Sequence, residues 1–195
     1  MSPFSEAGIY LLQSLGFIYL LILICRLLLQ ASRADFNNPV SIFLIKATHV
    51  PTAPIRKVLP TYRNFDLATL FLAIVLQCIV IQLSVLILGH NLVNILYLVA
   101  WAVIGIISLV LNIYLYGLLA VIIISWVAPY NRHPIIVILH QLLDPVMKPF
   151  QRLIPPLGGL DLSPIFIFLV LNMLRIFLSA GAEGMMLPFK IVPGI

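Results

Sequence analysis

The feature that most constrains this chain is a long segment without any charged side chain. From Leu67 to Tyr130 the sequence contains no Asp, Glu, Lys or Arg. Soluble domains usually carry about 25% charged residues, whereas this chain carries 9% and has a mean hydropathy of +1.17. Such a segment has no polar face to turn toward water. The sequence therefore predicts a multi-span membrane protein.

Four apolar blocks are long enough for membrane-spanning helices, which need about 20 residues each. They cover about 7–29, 67–88, 92–128 and 162–180. A turn is predicted at Gly89–Asn91, between the second and third blocks. The third block exceeds one bilayer crossing. It is either one tilted helix with an overhang or a short interfacial segment that leads into a span.

Basic residues are concentrated around two loops, between blocks one and two and between blocks three and four. They are Arg26, Arg33, Lys46, Arg56, Lys57 and Arg63 in or beside the first loop, and Arg132, Lys148 and Arg152 in the second. The positive-inside rule places both loops in the cytoplasm and both termini in the periplasm. Two loops on the same side of the membrane also require that the third block cross only once.

A shift of 95 residues aligns the two halves of the chain without a gap. It places Pro39, Pro54, Pro60 and Asp66 on Pro134, Pro149, Pro155 and Asp161. The sequence therefore predicts two copies of a span–loop–span unit, 4–88 and 99–183, joined by a periplasmic linker at 89–98 and followed by a C-terminal tail at 184–195. Each unit crosses the membrane twice, so the copies are parallel. The predicted fold class is an all-α membrane protein with four transmembrane helices as two parallel repeats.

Each loop is predicted to contain a short helix that opens with proline, at Pro39 or Pro134. About ten apolar residues follow, which is too few to span, so the helix is either interfacial or re-entrant. In the second loop a new helix is expected at Asp144–Pro145, with Asp144 as its cap and Pro149 kinking or interrupting it.

The two aligned aspartates each precede a span. Asp66 and Asp161 are expected to cap the second and fourth spans, because a carboxylate satisfies free N–H groups at a helix start and favours the positive helix end. Gly158 and Gly159 are expected to form the turn before Asp161.

The segments "DFNNPVSIFLIKATHVPTAPIRKVLP" and "LLDPVMKPFQRLIPPLGGLDLSP" resemble the YggT family of bacterial inner-membrane proteins, in its two-copy form. The motif covers Asp144, Pro145, Pro149, Arg152, Pro155, Gly158, Gly159, Asp161, Ser163 and Pro164. The first copy departs from it, with His49–Val50 in place of Asp144–Pro145 and Arg63–Asn64 in place of the glycines. The resemblance implies a link to osmotic-stress tolerance; relatives in plastids and Gram-positive bacteria are linked to cofactor assembly and division.

Candidate functional residues fall into three groups. The first group is the second-loop motif given above together with Lys148. The second group is its equivalents in the first loop: Pro39, Pro54, Arg56, Lys57, Pro60 and Asp66. The third group is the intramembrane polar residues Gln77, Asn112, Asn172 and Arg175. The basic residues either set topology and attract anionic lipid or form a docking face for a partner. Gln77 and Asn172 are equivalent, and amides at such positions commonly join helices by hydrogen bonds. Arg175, near the outer end of its span, is expected to snorkel.

No catalytic motif accompanies these residues, and no metal-ligand spacing does, so the sequence predicts neither an enzyme nor a bound metal or cofactor. The basic residues are too sparse for nucleic acid. Two function classes stay open: a scaffold or assembly factor that presents two basic cytoplasmic loops to anionic headgroups and other membrane proteins, and a small channel, transporter or accessory subunit. The sequence leaves the oligomeric state open.

Overall fold

The structure is a computed structural model, and it describes residues 3–128, 131, 133–153, 161, 163–185, 187 and 192–194. The elements in chain order are α1 (Pro3–Ala31), α2 (Pro39–Arg56), β1 (Thr61–Tyr62), β2 (Phe65–Asp66), α3 (Leu67–Ile87), α4 (Ile95–Val127), α5 (Pro134–Leu153) and α6 (Ser163–Gly184). The motif residues Pro155, Gly158 and Gly159, and the basic residue Arg132, lie outside the described residues.

Four helices of the described chain, α1, α3, α4 and α6, are long and apolar enough to cross a membrane. This confirms the predicted fold class. The third block is one unbroken helix of 33 residues, so its N-terminal part is continuous with the span and not a separate interfacial piece. The short antiparallel hairpin β1–β2, which joins α2 to α3, was not predicted from the sequence.

Packing between the spans depends on small residues at the points of closest approach. A Cβ atom at Gly16 of α1 would lie 2.6 Å from the Cγ2 atom of Val80 in α3. Small residues let helix backbones approach in a membrane, where lipid tails offer no hydrophobic drive for association. The main core forms around fully buried side chains of α1 and α4, among them Leu20, Leu23 and Leu118.

The loop helices are longer than expected, and the prediction of a helix restart at Asp144–Pro145 is wrong. Helix α5 continues through Pro145 and Pro149. Each proline removes one backbone hydrogen bond, but Leu142 and Leu143 on the same helix are buried in the core, and this apolar contact holds the helix together.

Asp144 is therefore an interior residue of α5 and not a helix cap. Its Oδ2 atom accepts a hydrogen bond from the Nζ atom of Lys148, one turn further along, at 2.6 Å. The pair lies on the surface, where such contacts contribute little to stability.

The two loops meet at one end of the bundle. The Nδ2 atom of Asn38, which caps α2, donates to the carbonyl of Pro134 at 2.9 Å, and the backbone N–H of Asp35 donates to Oε1 of Gln141 at 2.9 Å. Together α2 and α5 form one surface, here called the loop platform. The platform lies at the end of the bundle where α1 ends and α3 begins; the compartment it faces remains a prediction.

Candidate functional site

Asp66 lies at the junction of the hairpin and α3 and is fully buried. Its Oδ1 atom accepts from the backbone N–H of Thr69 at 3.4 Å, and its Oδ2 atom accepts from the Thr69 hydroxyl at 2.6 Å. These contacts confirm the predicted cap of the second span.

Two arginines from different helices converge on the same carboxylate. Arg56, in the last turn of α2, forms an ion pair with the Oδ2 atom of Asp66. The Nη2 atom of Arg26, from α1, lies 3.6 Å from that oxygen, and Arg26 is only 4% exposed. We call Arg26, Thr48, Thr52, Arg56, Asp66 and Thr69 the ion cluster.

The second guanidinium nitrogen of Arg26 is satisfied by two threonines of α2. Nη1 donates to the Oγ1 atoms of Thr48 and Thr52, the latter at 3.4 Å. Each threonine hydroxyl in turn donates to a carbonyl one turn back in α2. A buried charge is tolerated only when it is paired and hydrogen-bonded, and the ion cluster meets both conditions for Arg26.

The electrostatics of Asp66 reflect these partners. Burial alone would raise the pKa of the Asp66 carboxyl, but the hydrogen bond and charge of Arg56, with the two contacts from Thr69, hold that pKa below its ordinary value. Asp66 is therefore ionised at neutral pH. The cluster joins α1, the end of α2 and the start of α3, and so fixes the first loop against the first two spans.

The second repeat carries no such cluster. The positions equivalent to Arg26, Thr48, Thr52, Arg56 and Thr69 are Val121, Leu143, Met147, Gln151 and Pro164. Four of the five are apolar, and Val121 and Leu143 belong to the buried core. The two repeats therefore hold their loop helices by different means, one ionic and one apolar.

Within the part of the chain that the structure describes, Asp161 keeps a capping contact without a cationic partner. Its Oδ1 atom accepts from the backbone N–H of Ser163 at 2.9 Å, and its Oδ2 atom accepts from Nε2 of Gln151 at 3.0 Å. Its slight burial would raise the pKa, but these hydrogen bonds lower it below the ordinary value. Asp161 itself is exposed.

Among the described residues, the rest of the motif does not converge on Asp161, apart from the contact of Ser163. Lys148, Pro149 and Arg152 lie exposed on α5, and Pro145 does as well. Ser163 is buried. In the first loop, Pro39, Pro54, Lys57 and Pro60 are likewise exposed. Of the predicted loop residues, the structure thus brings together Arg56 with Asp66, Lys148 with Asp144, and Ser163 with Asp161.

The amides within the spans contact the C-terminal tail. The Nε2 atom of Gln77 donates to the carbonyl of Pro193 at 2.8 Å, and Nδ2 of Asn112 donates to the carbonyl of Gly194 at 3.0 Å. A Cβ atom at Gly105 would lie 2.6 Å from Val192 and 2.5 Å from Gln77. Residues 192–194 of the tail therefore lie between α3 and α4 at mid-depth, against a glycine of α4.

Asn172 and Arg175 behave differently from Gln77. The Nδ2 atom of Asn172 donates to the carbonyl of Phe168 in its own helix, so this amide does not join helices as predicted. Arg175 lines a shallow surface cavity together with Asn172, Ser179 and Glu183. Helix α6 also buries the smallest share of its most apolar stretch, 17% against 33–39% for the other three candidate spans.

Arg26, Thr48 and Thr52 belong to the site but are not predicted as site residues from the sequence, where Arg26 counts only among the basic residues beside the first loop. The signal that identifies it is its place inside the first apolar block, since an ionisable residue within a span needs a partner. Thr48 and Thr52 are one helical turn apart and so share the face that meets Arg26.

A family model described as CCB3/YggT matches the chain twice, at residues 5–88 and 100–182. The chain belongs to the CCB3/YggT family. The two matches coincide with the two predicted repeats, and the ion cluster falls within the first YggT unit.

Among relatives, an uncharacterized protein of Pseudomonas aeruginosa is 41% identical over 186 residues, covering 95% of this chain and 94% of that protein. The uncharacterized protein YggT of Escherichia coli is 33% identical over 169 residues, covering 85% and 86% of the two chains. A chloroplastic YlmG homolog of Arabidopsis thaliana is 48% identical over 62 residues, or 32% of this chain and 24% of that one. No solved structure matches.

Proposed function

We propose that this chain is a non-enzymatic scaffold or assembly factor of the bacterial inner membrane, whose loop platform faces the cytoplasm and binds other membrane proteins. The observation that supports this most is the joining of α2 and α5 into a single surface through Asn38, Pro134, Asp35 and Gln141. One surface built from both loops offers a partner a larger contact than two separate loops would.

The composition of the platform suits a protein partner beside the membrane. Its exposed side carries both cations and large apolar side chains. They include Phe43, Lys46, Val50, Lys57, Ile135, Val137, Lys148 and Arg152. Exposed apolar groups beside charges are typical of interaction sites.

The ion cluster supports a structural role for the buried charges. Arg26 and Arg56 both pair with Asp66, and three threonines hydrogen-bond within the cluster, so the two positive charges share one carboxylate inside the protein. We infer that the cluster keeps the first half of the platform rigid, which lowers the ordering cost of binding a partner. A role in osmotic-stress tolerance would follow from the client protein that the scaffold supports.

The test is site-specific photocrosslinking in living cells. A photoreactive residue at Phe43 on α2 and, separately, at Val137 on α5 is expected to capture the same membrane protein. The matched control is Phe177 on α6, an exposed apolar position away from the platform. Capture of that protein from Phe177 as well, or of unrelated proteins from Phe43 and Val137, would contradict the proposal.

A second candidate, a small channel or transporter, is favoured by one observation. Gln77 of α3 and Asn112 of α4 are amides near the middle of their spans, and both donate to carbonyls of residues 193 and 194 of the tail. Removal of residues 186–195 would then produce ion flux in liposomes that depends on both amides. The scaffold ranks first because the tail carbonyls occupy both amide donors.

A further inference from the structure

A surface cavity opens beside the ion cluster, where α1 ends and α3 begins. It has a volume of about 660 Å³ and is lined by Arg33, Tyr62, Arg63 and Phe65, with Ala31, Asn64 and Leu67 completing its wall. We call it the arginine pocket. It brings two cations and two aromatic rings together in one concave site.

The position of the arginine pocket places it at headgroup depth. Helix α1 ends at Ala31 and α3 begins at Leu67, so the pocket lies where two spans leave the hydrocarbon. Tyr62 and Phe65 are exposed, and aromatic side chains are common at this interface. Leu67 and Phe71 on α3 are also exposed and offer an apolar track below the pocket for an acyl chain.

Neither arginine of the pocket has an anionic partner within the described part of the chain. The ion pairs found there use Asp66 for Arg26 and Arg56, and Asp144 for Lys148. Asp35, close to Arg33 in sequence, accepts instead from the backbone N–H of Asn37. The guanidinium of Arg63 lies 5.7 Å from the centre of the Tyr62 ring. Two positive charges therefore face the cavity without a carboxylate to neutralise them.

Both arginines occupy backbone positions that favour glycine. Arg33 has φ +55° after the end of α1, where the N–H groups of Arg33 and Ala34 return to the carbonyls of Gln30 and Leu29. This is the Schellman arrangement, in which glycine is usual.

Arg63 has φ +53° in the two-residue turn between β1 and β2. Turns with positive φ at the first central residue favour glycine there. The second repeat carries Gly158 at the equivalent position. The backbone conformation thus disfavours arginine at both places, which indicates that the side chains are present for another reason.

We propose that the arginine pocket binds the phosphate of an anionic phospholipid headgroup, with the acyl chains lying along α1 and α3. Guanidinium groups bind phosphate oxygens in a bidentate manner, and basic pockets between spans are suited to lipid headgroups. The site exists once per chain, because the second repeat has Ala128 and Gly158 in place of the arginines. The proposal does not depend on the scaffold function.

The test is native mass spectrometry of the full chain in non-ionic detergent, titrated with phosphatidylglycerol. Arg33→Gln and Arg63→Gln are each expected to weaken binding of the first lipid about fivefold, and the double variant about 25-fold. The control variant Arg175→Gln changes a cation on α6, away from the pocket and the platform, and is expected to bind as the parent does.

Glycine variants separate binding from folding. Arg33→Gly and Arg63→Gly are expected to bind phosphatidylglycerol as weakly as the glutamine variants. Their thermal stability is expected to equal or exceed that of the parent, because glycine adopts positive φ without strain. Weak binding that appears only together with lower thermal stability would contradict the proposal.

Two further arms identify the source of the phosphate. Phosphatidylcholine and millimolar inorganic phosphate are each expected to leave phosphatidylglycerol binding unchanged. Equal binding of phosphatidylcholine would overturn the role of headgroup charge, and competition by inorganic phosphate would assign the pocket to a soluble anion. Unchanged phosphatidylglycerol binding by the double glutamine variant would reject the site itself.

Discussion

At the scale of single residues, equivalent positions in the two repeats have different roles. Asp66 is buried between two arginines, whereas Asp161 is exposed and bonded to neutral partners. Gln77 holds the tail, whereas Asn172 bonds within its own helix. Polar residues therefore recur at equivalent positions of the two repeats, but they make different contacts there.

The paired amides allow a direct comparison. Gln77→Leu is expected to lower the free energy of unfolding by about 1–2 kcal/mol, because the buried carbonyl of Pro193 loses its donor. Asn172→Leu is the matched control and is expected to change it by less than about 0.5 kcal/mol. Reversible unfolding in mixed micelles measures both. Equal losses in the two variants would contradict the tail contact.

The lowered pKa of Asp66 gives a pH dependence. A carboxyl whose folded pKa lies below its unfolded value of about 4 stabilises the fold above that value, and the stability is lost as pH falls through the folded pKa. Thermal stability in micelles is therefore expected to be flat near neutral pH and to fall below about pH 4. The Asp161→Asn variant is expected to show the same fall in thermal stability. Loss of the fall in that variant would show that Asp161, and not Asp66, causes it.

At the scale of elements, the sequence predicted the spans well and the loops less well. Apolar length identifies α1, α3 and α6 because only a membrane tolerates such runs. The prolines of α5 indicated a break, but packing of Leu142 and Leu143 outweighs the lost backbone bonds. The ion cluster was not predicted because Arg26 was counted among the basic residues of the first loop. Its position inside the first apolar block was not considered. The tail contact leaves no periodic signal in the sequence.

The residues of the ion cluster can be replaced by the mostly apolar residues that occupy the equivalent positions of the second repeat. A background with Arg26→Val, Thr48→Leu, Thr52→Met and Arg56→Gln carries the residues of the second repeat. On that background, Asp66→Asn is expected to cost less than about 1 kcal/mol, since Asn also caps helices and no cation is left unpaired.

In the parent chain the same Asp66→Asn change leaves two arginines beside a neutral amide. The coupling between the two sets of changes, measured as a difference of unfolding free energies, is expected to exceed about 2 kcal/mol. Additive effects would show that Asp66 does not interact with the arginines.

At the scale of the whole molecule, the parallel repeat places two loops at one end of four spans. The hydrogen bonds between Asn38 and Pro134 and between Asp35 and Gln141 make that placement a property of the fold. The compartment that the loops face is predicted from the distribution of Lys and Arg alone.

Cysteine labelling tests the compartment. In a background with Cys25→Ala and Cys78→Ala, the variants Lys57→Cys and Lys148→Cys carry exposed thiols on the two loops. Both are expected to react with a membrane-impermeant reagent only after the cytoplasmic side is opened. His90→Cys, in the turn at the other end, is expected to react from outside. Labelling of just one loop from the cytoplasm would contradict the parallel arrangement.

The central claim is that the first repeat is held by a buried ion cluster and the second is not. The most direct measurement compares the unfolding free energies of Asp66→Asn and Asp161→Asn in the same micelles. Asp66→Asn is expected to cost about 3–5 kcal/mol, because it leaves a buried arginine uncompensated. Asp161→Asn is expected to cost less than about 1 kcal/mol. Equal costs for the two variants, or a larger cost at Asp161, would contradict the account.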